Sequence, residues 1–366
     1  MSQTTPDTFE GIGYTRDGDG LPLQAVRVPV PRPSADQVLI RVACSSLNPL
    51  EYKLAQLNFF HRKPPVILGF DLAGTVVAVG AAVTRFAVGD DVAAVAASNG
   101  DGGWATGGHG GYAVASEFFT VPKPRTLSFR RAAVLPLVSL SARLGLHDHA
   151  RRGDSVYIPG GAGGVGHLAL QMAAHIYGCA RVITSAGTPE TIAAARGFGA
   201  GHVFNYKTDD IGAEIRKLTD GKGVDLVFDA TYNEDSFVQT AQMVRPGGTW
   251  IVLGVGPGKT TRTKTTPSPV DGILAKAGAR HVNANLLRFF SEPATLDERA
   301  QAFLQQGLLQ AMEWAVDGRV APHIGKTIDC SVDAINAELL RLKSGKGGVV
   351  GKVAVVVDRS RGGEAA

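Results

Sequence analysis

The 366-residue sequence predicts a two-domain α/β protein that pairs a compact antiparallel β-barrel with a doubly wound parallel sheet. Three observations predict it. The length exceeds the roughly 250–300 residues that a single hydrophobic core sustains. Up to Pro124 the chain is a succession of short β-rich runs punctuated by Gly, Asp and Pro, with few helical stretches. From Ser155 onward, apolar strands alternate with helical stretches, the βαβ rhythm of a parallel sheet.

Taken in order, residues 24–42 form β-rich runs broken by Pro29, Pro31 and Pro33, and residues 37–42 alternate as a half-buried strand does. Residues 69–79, 89–97 and 117–122 read as further short strands, enough to close a barrel. Residues 129–150 read as helical. Parallel strands are then expected at 155–159, 181–185, 226–230, 249–254 and 280–285, with helices starting near Val165, Glu190, Gly212 and Glu234. A long helix over 295–316 precedes a mixed tail that ends in a strand at 352–358. This tail no longer follows the βαβ rhythm, so it is expected to return to the first domain. The expected domains are therefore 1–130 with 293–366, and 131–292.

Hydrophobic residues make up 44% and charged residues 19%, a balance that allows both a core and solubility. Lys and Arg (37) outnumber Asp and Glu (33), giving 37 − 33 = +4, spread along the chain and mildly favourable to anionic ligands. There is no clustered basic stripe, and aromatics are 7%, which argues against a nucleic-acid partner. Cys44, Cys179 and Cys330 are far apart with no CxxC spacing, so they read as reduced core residues. Residues 1–19 are polar and acidic, and no apolar run reaches roughly 18 residues. The expectation is a cytoplasmic protein with no membrane partner.

The most specific motif is Gly161-Ala162-Gly163-Gly164-Val165-Gly166, a GxGxxG that follows one predicted strand directly and opens a helix. In that context the first glycine permits a tight turn, the second admits a pyrophosphate and the third lets helix and strand pack closely. The start of the helix offers free N–H groups and partial positive charge to phosphates. The parallel-sheet domain is thus read as a Rossmann dinucleotide-binding domain. NAD-preferring domains carry an Asp or Glu at the end of the second strand, for the ribose 2′-OH. Here residues 182–188 contain no carboxylate, while Ser185 and Thr188 offer hydroxyls, which leans toward NADP(H); the nearest cation is Arg196.

With these residues in view, the chain resembles the zinc-independent quinone oxidoreductases, including zeta-crystallin-like enzymes, of the medium-chain dehydrogenase/reductase superfamily. The marks span nearly the whole chain: Asn48-Pro49-Leu50-Glu51, the run from Leu68 to Gly74, the run from Val88 to Val92, the cradle continuing into His167, and Gly351-Lys352-Val353. The resemblance implies a GroES-like barrel built from both chain ends, a Rossmann domain between them and a nicotinamide pocket in the cleft. In zinc-using relatives a Cys stands at the Asn48 position and a His at the Phe70 position, and four close cysteines form a second zinc lobe. Neither Asn48 nor Phe70 completes a His/Cys site, and residues 97–111 contain no cysteine. His109 has no partner at ligand spacing and reads as a surface or core residue; His147, His149 and His175 read no differently.

By the same resemblance Asn48 and Tyr52 are the catalytic candidates, Lys53 stands on their wall, and Glu51 supports the turn beside the substrate pocket. Phe59 stands where enoyl-thioester reductases carry a proton-donating Tyr, and a phenyl ring cannot donate. Ser141 is expected on the nicotinamide side and Tyr206 at the adenine ribose or its phosphate. Leu253 and Val255 are expected under the ring, with Lys352 approaching from the tail. Each has a plain structural reading as well: Asn48 before Pro49 is a good turn former, and Tyr52 or Tyr206 can be partly buried aromatics.

The implied activity is NADPH-dependent hydride transfer to a quinone or similar conjugated carbonyl. Reduction of an enal, enone or enoyl-thioester double bond stays open, as does a non-catalytic NADPH-binding role. The basic run 258–264 reads either as a solvated loop or as the receiver of an anionic substrate tail. A strand at 280–285 falls at a sheet edge, which predicts pairing into a homodimer.

Overall fold

The computed structural model describes residues 5–58, 60–96, 106–231, 234–254, 269–291, 296–345 and 349–362. The first stretch of chain supplies β1 (Thr8–Tyr14), β2 (Gln24–Pro29), β3 (Gln37–Ser46), β4 (Val66–Ile67), β5 (Asp71–Val79), β6 (Asp91–Val95), β7 (Tyr112–Ser116) and β8 (Thr120–Pro122). The middle supplies β9 (Ser155–Pro159), β10 (Arg181–Ala186), β11 (His202–Asn205), β12 (Val224–Asp229), β13 (Val244–Leu253) and β14 (Arg280–Ala284). The tail adds β15 (Ile324–Asp329) and β16 (Lys352–Val356).

The chain divides into two compact units, one of Met1–Leu137, Phe289–Val316 and Ile324–Ala366, the other of Val138–Arg288 and Asp317–His323. The tail returns to the first unit with one exception, the short segment Asp317–His323. That exception departs from the expected 293–366 block, and side-chain bonds from the helix Gly166–Gln171 to Ala321 and His323 account for it.

In the first unit, β2-β1-β4 form a small sheet, and a larger sheet runs β15-β16-β3-β5-β6-β8 with β7 also paired to β3. Strand β3 was expected to be half-buried, yet every residue but Arg41 is buried. It is central, with β5, β7 and β16 all bonded to it, and Val38, Ile40 and Val42 join Leu72, Val76 and Val92 in the core. The expected helix over 129–150 is instead two helices, Phe129–Ala133 and Pro136–Leu146. Pro136 lacks the N–H that a continuous helix requires.

In the second unit, all strands of the sheet β11-β10-β9-β12-β13-β14 run parallel. The order reverses beside β9, the switch point at which open α/β sheets bind ligands beyond the strands' carboxyl ends. Every residue of β9 is buried, as a central parallel strand requires. Trp250, Tyr157, Ile183 and Phe237 anchor the core on one face of this sheet, and the Trp250 indole N–H donates to Thr240 Oγ1 at 2.9 Å. Strand β14 lies at the sheet edge, as expected. The short strands β1, β7 and β11 carry too little periodicity to stand out from the sequence.

Candidate functional site

The second unit carries a glycine cradle at the carboxyl end of β9. Two of its glycines are required by close approach: a Cβ on Gly161 would stand 2.3 Å from Thr184 Oγ1, and one on Gly166 would stand 2.4 Å from Gly160 O. Gly163 differs, because a Cβ there would meet only Gly160 O at 3.3 Å. That contact is tight but milder than the other two, and nothing else stands within 4 Å, so the side of Gly163 facing away from Gly160 is clear for an incoming group. The loop is tied down from below by Gly161 N–H to Thr184 Oγ1 (3.0 Å) and Gly163 N–H to Gly160 O (2.9 Å). Among the described residues, the amides of Ala162, Gly164, Val165 and Gly166 donate to no acceptor. Unspent N–H groups at a helix start suit an anion such as a pyrophosphate.

Strand β10 runs beside the cradle strand β9, and β11 beside β10. Ser185 is buried, and its Oγ accepts the Tyr157 hydroxyl at 3.0 Å, so part of its capacity is spent inside the sheet. Thr188 is exposed and caps the helix Pro189–Gly197, bonding to Thr191. Tyr206 is exposed and lies over Gly187, where a Cβ would come 2.3 Å from the Tyr206 hydroxyl. Arg196 is exposed in the last turn of the same helix. Ser141 is buried in the helix Pro136–Leu146, and Leu253 is buried at the end of β13. Val255 and the basic run 258–264 lie outside the described residues.

The first unit carries a buried polar cluster centred on Asp71 at the start of β5. Asp71 is fully buried; its Oδ2 accepts from Ser46 Oγ (2.8 Å), Asn48 Nδ2 (2.8 Å) and Lys352 Nζ (3.3 Å), and its Oδ1 accepts the Leu137 N–H (2.7 Å). Lys352 also donates to Leu47 O at 2.8 Å and Asn48 Oδ1 at 2.6 Å. All three ammonium protons are thus committed within the first unit. Lys352, expected to approach the cofactor from the tail, here holds Asn48.

The two charged neighbours fix the Asn48 amide. A carboxylate only accepts and an ammonium only donates, so Nδ2 faces Asp71 and Oδ1 faces Lys352. The second N–H of Nδ2 remains uncommitted among the described residues. Glu51 is also fully buried, and its carboxylate takes the Asn48 N–H at 2.6 Å and the Phe70 N–H at 3.3 Å. It braces the turn before the helix Pro49–Leu57 and has no exposed surface to line a pocket. Burial, with Asp71 adding to it, pushes its carboxyl up to about 7 against the pull of Lys352.

Tyr52 is half-buried with Lys53 Nζ 6.0 Å from its ring centre, and burial raises its phenol, which stays protonated as a donor. Phe59 lies outside the described residues. Phe70 packs among Phe60, Phe290 and the Arg62 guanidinium. His109 is a fully buried core residue whose Nδ1 lies 3.2 Å from Ser45 Oγ. Because Ser45 gives its proton to Asp71 O (2.7 Å), His109 is protonated at Nδ1, and burial together with the Lys352 charge holds its pKa down at about 3.

Asp71 and Ser46 went unassigned in the sequence, and a signal existed for Asp71. A carboxylate in the apolar run Phe70-Asp71-Leu72 must be buried, and a buried charge demands a cation, which Gly351-Lys352-Val353 supplies.

Comparison with known proteins bears on the family. Residues 34–128 match the alcohol dehydrogenase GroES-like domain family, and residues 164–292 match the zinc-binding dehydrogenase family. The chain is 36% identical over 231 residues to a chloroplastic quinone-oxidoreductase homolog of Spinacia oleracea, covering 60% of this chain and 67% of that protein. The chain belongs to the medium-chain dehydrogenase/reductase superfamily. Its relatives include proteins named quinone-oxidoreductase homolog, alkenal/one oxidoreductase and zinc-type alcohol dehydrogenase-like protein. A chloroplastic NADPH-dependent alkenal/one oxidoreductase of Arabidopsis thaliana is 35% identical over 228 residues, 61% of this chain and 56% of that protein. Among solved structures, the quinone oxidoreductase of Coxiella burnetii superposes with a TM-score of 0.75 at 26% identity, over 96% of this chain and 99% of that one. An alcohol dehydrogenase superfamily protein of Novosphingobium aromaticivorans gives 0.78 at 28% identity, with the same coverage.

Among the described residues, the zinc in one family description finds no ligand set. Phe70 has no donor atom, the Asn48 amide is engaged on both sides, and the described residues contain no group of three His, Cys, Asp or Glu able to hold a metal. No helix among the described residues is long and apolar enough to cross a membrane.

Proposed function

We propose that this protein is an NADPH-dependent oxidoreductase that delivers hydride to a quinone or a similar small conjugated carbonyl, without zinc. The observation that carries the reading is the cradle, where four backbone amides at the start of a helix are left unspent around Gly163. NADPH, when bound, supplies the hydride. The protein's part is binding, orientation and hydrogen-bond donation.

The amides of Ala162, Gly164, Val165 and Gly166 take the linked phosphates. Tyr206 and the β10 end at Ser185 take the ribose side; the absence of a carboxylate in residues 182–188 suits a 2′-phosphate. Ser141, Lys53, Leu253 and Val255 complete the cofactor contacts. The remaining N–H of Asn48 and the Tyr52 hydroxyl donate to the acceptor's carbonyl oxygen as charge builds on it. Asp71 and Lys352 hold that amide in register. Glu51 shapes the turn, and Phe59 the pocket beside it.

Reduction of an activated carbon–carbon double bond is the second reading, favoured by the alkenal/one oxidoreductase among the relatives. Both readings place the protein in the cytoplasm as a homodimer joined along the β14 edge; dilute material that scatters light as a stable monomer would remove the dimer.

Stopped-flow NADPH oxidation against quinone and enone panels tests the activity and separates a catalyst from a non-catalytic binder. Asn48→Ala is expected to lower kcat for the best acceptor by about 100-fold, the scale of losing one oxyanion donor. Unchanged turnover would remove Asn48 from the chemistry.

A further inference from the structure

The segment Asp317–His323 belongs to the second unit, although the chain on both sides of it belongs to the first. It is bonded to the helix that opens the cradle. Gln171 Nε2 donates to Ala321 O at 3.0 Å, and Gln171 Oε1 accepts the Ala321 N–H at 2.8 Å, a two-way amide pair. The His323 N–H donates to His167 Nε2 at 3.2 Å. The ring of Phe198 meets the rings of His167 and His323 edge-on, each at 5.5 Å. Both His167 and Gln171 are buried.

The partners determine which nitrogen of His167 carries the proton. A backbone N–H can only donate, so Nε2 is the acceptor. Nδ1 therefore holds the proton and donates it to Gly163 O at 3.0 Å, an oxygen that also accepts the His167 N–H at 3.0 Å. In a trans peptide the carbonyl oxygen and the next residue's N–H point in opposite directions. Two bonds drawing Gly163 O toward the helix thus turn the Gly164 N–H the other way. That amide is one of the four left unspent, next to Gly163, where a Cβ would meet only Gly160 O, at 3.3 Å.

We propose that His167 and Gln171 are positioning residues that latch the segment Asp317–His323 to the cradle and set the Gly163–Gly164 peptide to receive a dinucleotide phosphate. The inference rests on the reading that the cradle takes NADPH. Linkage is reciprocal: if the latch improves the grip on the phosphate, bound NADPH steadies the latch by the same factor.

The test is calorimetric titration of the full-length protein with NADPH, joined to hydrogen exchange at the Ala321 and His323 amides with and without NADPH. In wild type, NADPH is expected to slow exchange at both amides by about tenfold, the worth of one buried hydrogen bond. His167→Phe keeps the ring that packs on Phe198 and removes both polar contacts; its Kd for NADPH is expected to rise about tenfold, with the loss falling on KM more than on kcat. His167→Gln, which can still donate and accept once each, should recover part of that loss. Gln171→Leu cuts the amide pair without touching Gly163 and should weaken binding by about threefold; it decides the matter if His167→Phe does not fold. Variants that bind NADPH as wild type does, or exchange at 321 and 323 that ignores NADPH, would overturn the latch while the cofactor reading stands. No heat from wild type and NADPH would overturn that reading, and the latch with it.

Discussion

The glycine cradle and the Asp71 cluster solve opposite problems. The cradle offers backbone amides and no charged side chain, and its parts lie within a few residues of one another. The cluster buries two carboxylates, Asp71 and Glu51, against one ammonium, Lys352, and its bonds span 23 residues from Asn48 to Asp71 and 304 from Asn48 to Lys352. One region is held by shape and exposes unspent donors. The other spends nearly all its donors internally and leaves one Asn48 N–H. A group that must seize a highly charged ligand can wait uncharged, whereas a single well-aimed amide needs a buried electrostatic frame to keep it from turning over.

The frame should therefore fail hardest when its cation is removed. Lys352→Met leaves the Asp71 carboxylate buried without a counter-charge and is expected to cost about 3–5 kcal/mol in urea unfolding. Adding Asp71→Leu to Lys352→Met should recover much of that loss, since an uncharged pair no longer leaves a buried ion exposed to its own desolvation cost. A loss under about 1 kcal/mol in the single variant would show that the pair is solvated and would erase the contrast with the cradle.

The cradle should fail in binding more than in folding. A methyl on Gly166 would stand 2.4 Å from Gly160 O, a backbone atom that cannot swing aside. Gly166→Ala is expected to weaken NADPH binding by about 100-fold as the loop shifts, with a stability loss of about 1–2 kcal/mol. Equal affinity by calorimetry would mean that the loop does not set the phosphate site.

The same contrast explains what could be read from the sequence. The parallel sheet and its cradle were legible because their signals are local: β9 matches the expected 155–159, and the GxGxxG follows it directly. The tail's return to the first unit followed from a loss of βαβ rhythm. The segment Asp317–His323 was not legible, since what recruits it is His167 and Gln171, some 150 residues away, meeting its backbone. Asn48, Glu51 and Lys352 were marked by family pattern, which also gave Glu51 its place supporting the turn; the bonds that join the three were not legible. That Lys352 serves Asn48, and that Glu51 is sealed, depends on contacts between strands distant in sequence, where no periodicity operates. The half-buried expectation for β3 failed for a related reason, because alternation cannot show that β5, β7 and β16 cover both faces.

The smallest expected effect is the most diagnostic of the buried frame. Glu51 titrates at about 7 in the folded protein against 4.5 when unfolded, so its contribution to stability is complete below pH 4.5 and is lost as pH rises to about 7. His109 runs the other way: its pKa falls from 6.5 to about 3, so its contribution is complete above pH 6.5 and is lost as pH falls toward 3. Between pH 4.5 and 6.5 the two slopes oppose each other, each about 1.4 kcal/mol per pH unit for a fully shifted group. Glu51→Gln removes one of them and keeps the shape. Urea midpoints at pH 5, 5.5, 6 and 6.5 should therefore show the variant losing stability on acidification more steeply than wild type, by up to about 1.4 kcal/mol per unit. Parallel profiles would mean that Glu51 is ionised throughout that range and that the Asp71 frame carries its second negative charge without strain.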